Sequence, residues 1–188
     1  MHRRTLLASL ACLLVPNLAP SRAMAHSPWG QYAVYRQKHL LVLSTRDDAE
    51  SYPYSKLLVD AVNRSAPEAK ARPARAKDLE RAYNLLRSDQ FQFALLSRRN
   101  VDAMRSATGL FAGGDPVDLK SVYLFGQLEF AVRADFPAHL VAIVAHAVVS
   151  NLDDLPGASP MTDVLGQDTL HAGARDAIIE YLSNNPDG

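Results

Sequence analysis

The chain has 188 residues, with 20 Lys and Arg against 20 Asp and Glu, and 48% of its residues are hydrophobic. That length suits one compact domain, and the apolar content is too high for a disordered protein. The balanced charge lacks the basic excess typical of nucleic-acid-binding proteins, and the single cysteine, Cys12, excludes a disulfide framework and a cysteine-based metal site.

The first 25 residues have the pattern of an export signal. Arg3 and Arg4 precede an apolar run from Leu6 to Val15, and residues 23–25 (Ala-Met-Ala) form a small-x-small cleavage site. The run is too short to cross about 30 Å of hydrocarbon, so we expect no membrane span in the mature chain. The paired arginines are also compatible with the twin-arginine export route. These features predict a periplasmic protein that begins at His26 after residues 1–25 are removed.

Residues 26–38 are expected to form an N-terminal extension to a domain over residues 39–188. Within that domain, short apolar runs alternate with segments of helical period. The predicted elements, in chain order, are a strand at 40–43, a helix opened by Pro53, a Pro-containing edge strand within 67–75, a helix at 79–86, a strand at 91–96, a short helix at 101–107, one or two strands at 121–133 broken at Gly126, an apolar helix opened by residues 135–137, a polar connection at 151–168, and a last helix at 174–182.

This alternation of strands and helices predicts an α/β fold: a mostly parallel sheet with helices on both faces, in three layers. In open sheets of this kind, ligands bind beyond the carboxyl ends of the strands. The rule selects three loops, which are 44–52, 75–78 and 97–100. The acids of the first loop, Asp47, Asp48 and Glu50, are expected to face water.

The three loops are basic and polar, and they predict an anion site. Cations would supply charge, hydroxyl groups would supply hydrogen bonds, and helix N-termini after the loops would offer backbone N–H groups. The alternative is that these charges are simply solvated loop ends. The candidate ligand-binding residues are Ser44, Thr45, Arg46, Tyr52, Lys77, Ser97, Arg98 and Arg99.

The order of segments resembles the TAXI-type solute-binding proteins of TRAP transporters, in the type II periplasmic-binding-protein superfamily. The similar segments are 41–45 (LVLST), 52–54 (YPY), 78–86 (DLERAYNLL), 92–97 (QFALLS), 121–125 (SVYLF), 132–141 (VRADFPAHLV) and 170–175 (LHAGAR). The resemblance implies a type II α/β/α lobe that binds a small anionic solute such as an organic acid.

The chain also departs from that family. Family members are longer and close two lobes over a solute, whereas residues 125–133 here lead straight into the helix that returns to the first lobe. We therefore expect a single lobe. The family's glycine-rich ligand loop is replaced by residues 46–51 (RDDAES), and its Gly-Ser pair is replaced by Ala76-Lys77.

The sequence leaves two functions open. The first is a periplasmic solute-binding-like protein that takes an organic acid at the three loops. The second is a non-catalytic interaction module that has lost ligand binding with its second lobe and docks on an envelope or transport protein or on its own copy. Aromatic residues typical of interface anchors support the second, although core packing is their commoner use; they are Trp29, Tyr32, Tyr35, Tyr52 and Tyr54.

No motif for an enzyme or for a cofactor is present. The chain lacks a Gly-x-Ser-x-Gly elbow, a His-Glu-x-x-His pair and a phosphate-binding glycine loop. We expect no catalytic residues and no cofactor. Copper binding is a minor alternative: His26 at a new N-terminus would need a further imidazole, which His139 or His146 could supply.

Overall fold

The computed structural model of the chain describes residues 35, 36 and 38–186. The predicted export signal, His26 and two of the predicted interface aromatics, Trp29 and Tyr32, lie outside these residues.

Five strands form one sheet in the order β2-β1-β3-β5-β4. β1 is parallel to β2 and β3, and β5 is antiparallel to β3 and β4, so four of the five strands point the same way. The strands are β1 (Leu41–Thr45), β2 (Arg72–Ala76), β3 (Phe93–Ser97), β4 (Leu119–Phe125) and β5 (Leu128–Arg133). The predicted α/β class is confirmed, with a mixed sheet.

The direction of β5 follows from a tight hairpin. Gly126 has a φ of +56°, which L-residues with a side chain rarely adopt, and it forms a two-residue turn with Gln127. The predicted break at Gly126 is therefore confirmed, and the segment 121–133 contains two strands rather than one.

Helices cover both faces of the sheet, as the sequence predicts. They are α1 (Ser51–Ser65), α2 (Leu79–Arg87), α3 (Arg98–Ser106), α4 (Ala138–Val149), α5 (Met161–Leu165) and α6 (Ala172–Asn184). On one face, Phe93 and Phe130 pack among α1, α4 and α6. On the other face, Leu43 and Leu96 pack against α2 and α3. The short helix α5 lies within the segment 151–168, which the sequence predicts to be a polar connection.

The two outer strands are protected in different ways. β2 carries Pro73 between exposed arginines, which disfavours pairing with another strand, and the predicted edge strand is confirmed. The free edge of β4 is covered by the chain after α4, where Ala158 pairs with Phe125 and Leu170 pairs with Ser121. A side-chain hydrogen bond also holds this covering segment against β4, because the buried hydroxyl of Tyr123 donates to the Ser159 carbonyl at 2.7 Å. Burial raises the pKa of Tyr123 to about 12.

Candidate functional site

The carboxyl ends of β1, β2 and β3 bring the three predicted loops together. The strand register pairs Thr45 with Ala76 and Leu43 with Ala94. Arg46, Lys77 and Ser97 therefore leave neighbouring strands at the same level, and neighbouring strands lie about 4.8 Å apart. We call this end of the domain the strand-end face; it comprises residues 46–50, 77–78 and 97–100.

Two of the predicted hydroxyl groups hold the loop after β1. Ser44 and Thr45 are fully buried. The Ser44 hydroxyl donates to the Ala74 carbonyl at 2.9 Å, and Thr45 Oγ1 accepts the N–H of Asp48 at 3.1 Å. Both side chains are therefore engaged within the protein: Ser44 binds the neighbouring strand β2, and Thr45 fixes the position of Asp48.

Two acids of that loop, Asp47 and Asp48, accept backbone N–H groups at the starts of two other helices. Asp47 Oδ2 accepts the N–H of Leu79, the first residue of α2, at 2.9 Å. Asp48 Oδ2 accepts the N–H of Ser97, immediately before α3, and lies 3.4 Å from the amide nitrogen of Asn100. N–H groups at helix starts lack partners within the helix and attract negative charge. In this chain, carboxylates from the β1 loop supply that charge.

The expectation that these acids face water holds for Asp47, which is exposed, but Asp47 and the half-buried Asp48 also each accept a backbone N–H at the start of a helix. A cap is usually sought at the residue just before the helix, and Asp78 fits that rule, because its Oδ1 accepts the Arg81 N–H at 2.7 Å. The caps from Asp47 and Asp48 span 32 and 49 residues of sequence. Only the strand order reveals them.

Tyr52 lies at the margin of the strand-end face. It is half-buried, and the guanidinium of Arg75 and the ammonium of Lys56 each lie 4.8 Å from the centre of its ring. Both contacts are in the range of cation–π attraction. Tyr52 thus holds the edge strand β2 against α1.

Four predicted cations remain exposed on the strand-end face: Arg46, Lys77, Arg98 and Arg99. Within the described part of the chain, none of them lies within 4.0 Å of a carboxylate. We call these four residues the strand-end cations. Arg64 and Arg87 elsewhere in the domain each pair with an aspartate, whereas the exposed Arg72 and Arg75 of β2 resemble the strand-end cations in having no ion pair among the described residues.

Sequence reasoning missed a second polar group, which is buried against the face of the sheet that α2 and α3 cover. Arg105 of α3 binds both carboxylate oxygens of Glu129, whose side chain is only 3% exposed. The Ser121 hydroxyl donates to Glu129 Oε1 at 2.6 Å and lies 2.8 Å from the Thr169 hydroxyl. We call Arg105, Ser121, Glu129 and Thr169 the interior polar cluster. A glutamate inside an otherwise apolar strand was the available signal, because buried charges are normally paired.

Residues 170–175 have a structural role here. His171 Nδ1 accepts the Gly173 N–H at 3.1 Å and so caps α6. Burial lowers the pKa of His171, although hydrogen bonding to the backbone at Phe136 and Ala134 opposes this effect. A Cβ on Gly173 would lie 2.0 Å from the Ala138 carbonyl oxygen, so glycine allows α6 to touch the backbone of α4.

The other aromatic candidates and histidines do not converge with the strand-end face. Tyr35 is exposed and stacks on His39, and the Tyr54 hydroxyl donates to the Pro156 carbonyl at 2.9 Å. His139 and His146 are both exposed on α4. Across the described residues, no three His, Cys, Asp or Glu side chains are grouped so that they could hold a metal ion.

In the part of the chain that the structure covers, no helix combines the length and the apolar character that crossing a membrane requires. No protein-family model matches this chain, and no curated protein matches it.

Proposed function

We propose that this chain is a non-catalytic binding lobe of the periplasm, similar to one lobe of a TAXI-type solute-binding protein, and that it contacts a protein partner through its strand-end face. One observation carries the proposal: Asp47 binds the N–H of Leu79, the first residue of α2, and Asp48 binds the N–H of Ser97, immediately before α3. An anionic solute that used these donors would have to displace carboxylates tethered beside them. The effective concentration of such tethered groups is high, which disfavours the free solute.

The exposure of the strand-end face also favours a protein partner over a small solute. Small-molecule sites usually bury most of the ligand surface. Here the strand-end cations are exposed, and β4 leads into β5 through two exposed residues, Gly126 and Gln127, where the resemblance would place a second lobe. Hydrogen bonds and charge pairs in contact with water contribute less than enclosed ones. A protein partner would itself cover the exposed face and exclude water from these contacts.

Capture of a small organic acid at the same face is the second candidate. The observation that favours it is the absence of ion-pair partners for the strand-end cations among the described residues. This function would rely on the long side chains of Arg98, Arg99 and Lys77 rather than on backbone N–H groups. It therefore predicts weak binding that salt readily screens.

Site-specific photo-crosslinking in cells tests the proposal. A benzophenone amino acid replaces Arg99 on the strand-end face or, as the matched control, exposed Arg72 at the opposite end of the edge strand β2. We expect a discrete protein adduct from position 99 and none from position 72. Equal adducts from both positions, or none from position 99, would contradict docking at this face.

A thermal-shift series separates the two candidates. The purified exported chain is heated with dicarboxylates, amino acids and phosphate over a range of concentrations. A specific ligand would raise Tm progressively with concentration. We expect no such rise; a saturating rise with one dicarboxylate would instead establish the solute-binding function.

A further inference from the structure

We infer that the domain forms a homodimer through the outward side of the helix layer made by α1, α4 and α6, with α4 at the centre of the contact. We call this side the helix-layer face; it presents Leu57, Leu140, Ile143 and Ile179. The inference does not depend on the proposed function, because none of these residues belongs to the strand-end face. It follows from the exposed apolar side chains of the helix-layer face, from its size and from the lack of charge at its centre.

The two helix layers of the domain differ in what they expose. The four apolar side chains of the helix-layer face are each between 39% and 49% exposed, and they are four of the six large apolar side chains that are exposed in the described part of the chain. On the opposite layer, the exposed residues of α2 and α3 are charged, apart from Ser106. A concentration of exposed apolar groups on one side of a domain is typical of a contact surface.

Helix α4 lies at the centre of the helix-layer face, because it packs against both α1 and α6. Leu140 and Ile143 are three residues apart, so they share one side of this helix. None of the 12 residues of α4 is Asp, Glu, Lys or Arg, and the exposed polar side chains on it are those of His139 and His146. A surface helix normally carries charged residues on the side that faces water. Covering α4 would therefore bury apolar area without removing a Lys, Arg, Asp or Glu charge from water.

The size of the helix-layer face is comparable with what a stable dimer needs. At about 1.5 Å per residue, helices of 12 to 15 residues are about 18–22 Å long. Three packed helices about 10 Å apart extend across roughly 30 Å. The face therefore covers on the order of 600 Å², and a standard protein interface buries about 800 Å² on each partner.

Symmetry favours a second copy of the chain as the occupant. Around a two-fold axis, residues near the axis meet their own counterparts, so any charge there would face a like charge. Ile143 lies at the middle of α4 (Ala138–Val149). An axis beside Ile143 brings this side chain against its own counterpart, and α4 has no Asp, Glu, Lys or Arg to oppose the contact.

The charges around α4 argue against an anionic membrane as the occupant. The exposed charged residues of α1 and α6 are Asp60, Asp176 and Glu180 against Lys56 and Arg64. Helices that bind a membrane surface carry an excess of Lys and Arg toward the lipid headgroups. The mixed charges here instead suit the polar rim of a protein interface.

Sedimentation velocity of the purified exported chain, over about 1 to 100 μM, tests the inference. We expect a monomer–dimer equilibrium that Ile143→Glu weakens about tenfold or more, because this change places two like charges at the axis. Leu110→Glu is the matched control, since Leu110 is 66% exposed and lies outside the helix-layer face. It should change the dimerisation constant by about twofold or less. Circular dichroism checks that both variants remain folded.

Oxidative crosslinking gives a second measurement that introduces no charge. Cys12, the one cysteine of the chain, would be removed with the predicted signal, so Ile143→Cys and Leu110→Cys would each place a single thiol in the exported chain. A disulfide requires Cβ atoms about 4 Å apart. Ile143→Cys should therefore form a disulfide-linked dimer much faster than Leu110→Cys.

Three results would overturn the inference. A wild-type monomer at every concentration would exclude the dimer. Equal effects of the two glutamate variants, or equal crosslinking of the two cysteine variants, would place the interface away from α4. Retention of a monomer on phosphatidylglycerol vesicles would show that the helix-layer face binds a membrane surface instead. None of these results changes the outcome of photo-crosslinking at position 99, which tests the strand-end face separately.

Discussion

The two ends of helix α3 place the same residue type in opposite environments. At its start, Arg98 and Arg99 are exposed on the strand-end face, and no carboxylate among the described residues pairs with them. Two turns later, the side chain of Arg105 is 15% exposed and forms a bidentate pair with Glu129. One nine-residue helix thus carries exposed arginines that are free to bind a partner and a mostly buried arginine that is paired within the protein.

Burial decides the role of each arginine. An exposed ion pair contributes about 0–1 kcal/mol, so an exposed arginine can change its partner at little cost to the fold. A buried pair is different, because removal of one member leaves the other charged and without a partner. The interior polar cluster should therefore affect stability, and the strand-end face should affect binding. Each prediction below tests or refines that division.

The largest effect is expected from Arg105→Ala. This change leaves the Glu129 carboxylate buried with only the Ser121 hydroxyl as a donor, and it should lower the free energy of unfolding by about 3–5 kcal/mol. Urea unfolding measures the loss. Arg99→Ala on the same helix is the control, with an expected change of about 0.5 kcal/mol or less.

If the two variants lost similar amounts of stability, the division between the ends of α3 would be wrong. The double variant Arg105→Met with Glu129→Leu sharpens the result, because it removes both charges and keeps the volume. It should regain most of the stability that Arg105→Ala loses.

The next effect concerns the contact between α4 and α6, on the face of the sheet opposite to the one that the interior polar cluster lies against. Gly173→Ala would place a methyl carbon 2.0 Å from the Ala138 carbonyl oxygen, where backbone must move, and should cost about 1–3 kcal/mol or more. Gly166→Ala is the matched control, since its nearest neighbour would lie at 3.5 Å. Thermal unfolding should show a clear drop in Tm only for Gly173→Ala; a similar Tm for both variants would contradict the close approach.

The sequence predicted those features that depend on local pattern. Apolar spacing located the long helices, such as α1 and α6, because a helix buries one face at intervals of three and four residues. Pro73 marked the edge strand and Gly126 marked the hairpin, because each residue restricts or permits particular backbone angles. The strand-end rule then brought Arg46, Lys77 and Arg98 to one face.

Features that depend on distant residues were not predictable in the same way. The cap from Asp48 to Ser97 joins positions 49 residues apart, and the Arg105–Glu129 pair joins positions 24 apart. Both require knowledge of which strands are neighbours. The need for glycine at position 173 arises from the backbone of α4, which no local pattern around Gly173 encodes.

A smaller effect is expected at the strand-end face itself from Asp48→Ala. The variant loses the acceptor for the Ser97 N–H and should be less stable by about 1–2 kcal/mol, which is typical for a lost helix cap. Asp48→Asn keeps an oxygen acceptor and should lose less. Glu50→Ala, in the same loop and exposed, is the control for urea unfolding. Equal values for Asp48→Ala and Glu50→Ala would mean that the carboxylate of Asp48 contributes nothing to the start of α3.

The smallest and most specific effect is the pH dependence from His171, next to the Thr169 end of the interior polar cluster. Its pKa is lowered in the folded protein from an unfolded value of 6.5, because burial disfavours the charged ring, and hydrogen bonding to the backbone at Phe136 and Ala134 only partly opposes this. The unfolded chain therefore takes up a proton first as pH falls. The stability contributed by neutral His171 is complete above pH 6.5 and is lost as pH falls from there toward the folded pKa, by at most about 1.4 kcal/mol per pH unit.

His171→Asn can still cap α6 but does not titrate, so urea unfolding at pH 7.5, 6.5 and 5.5 should show the wild-type advantage shrinking as pH falls. A constant difference between the two proteins would mean that His171 keeps its ordinary pKa in the folded protein.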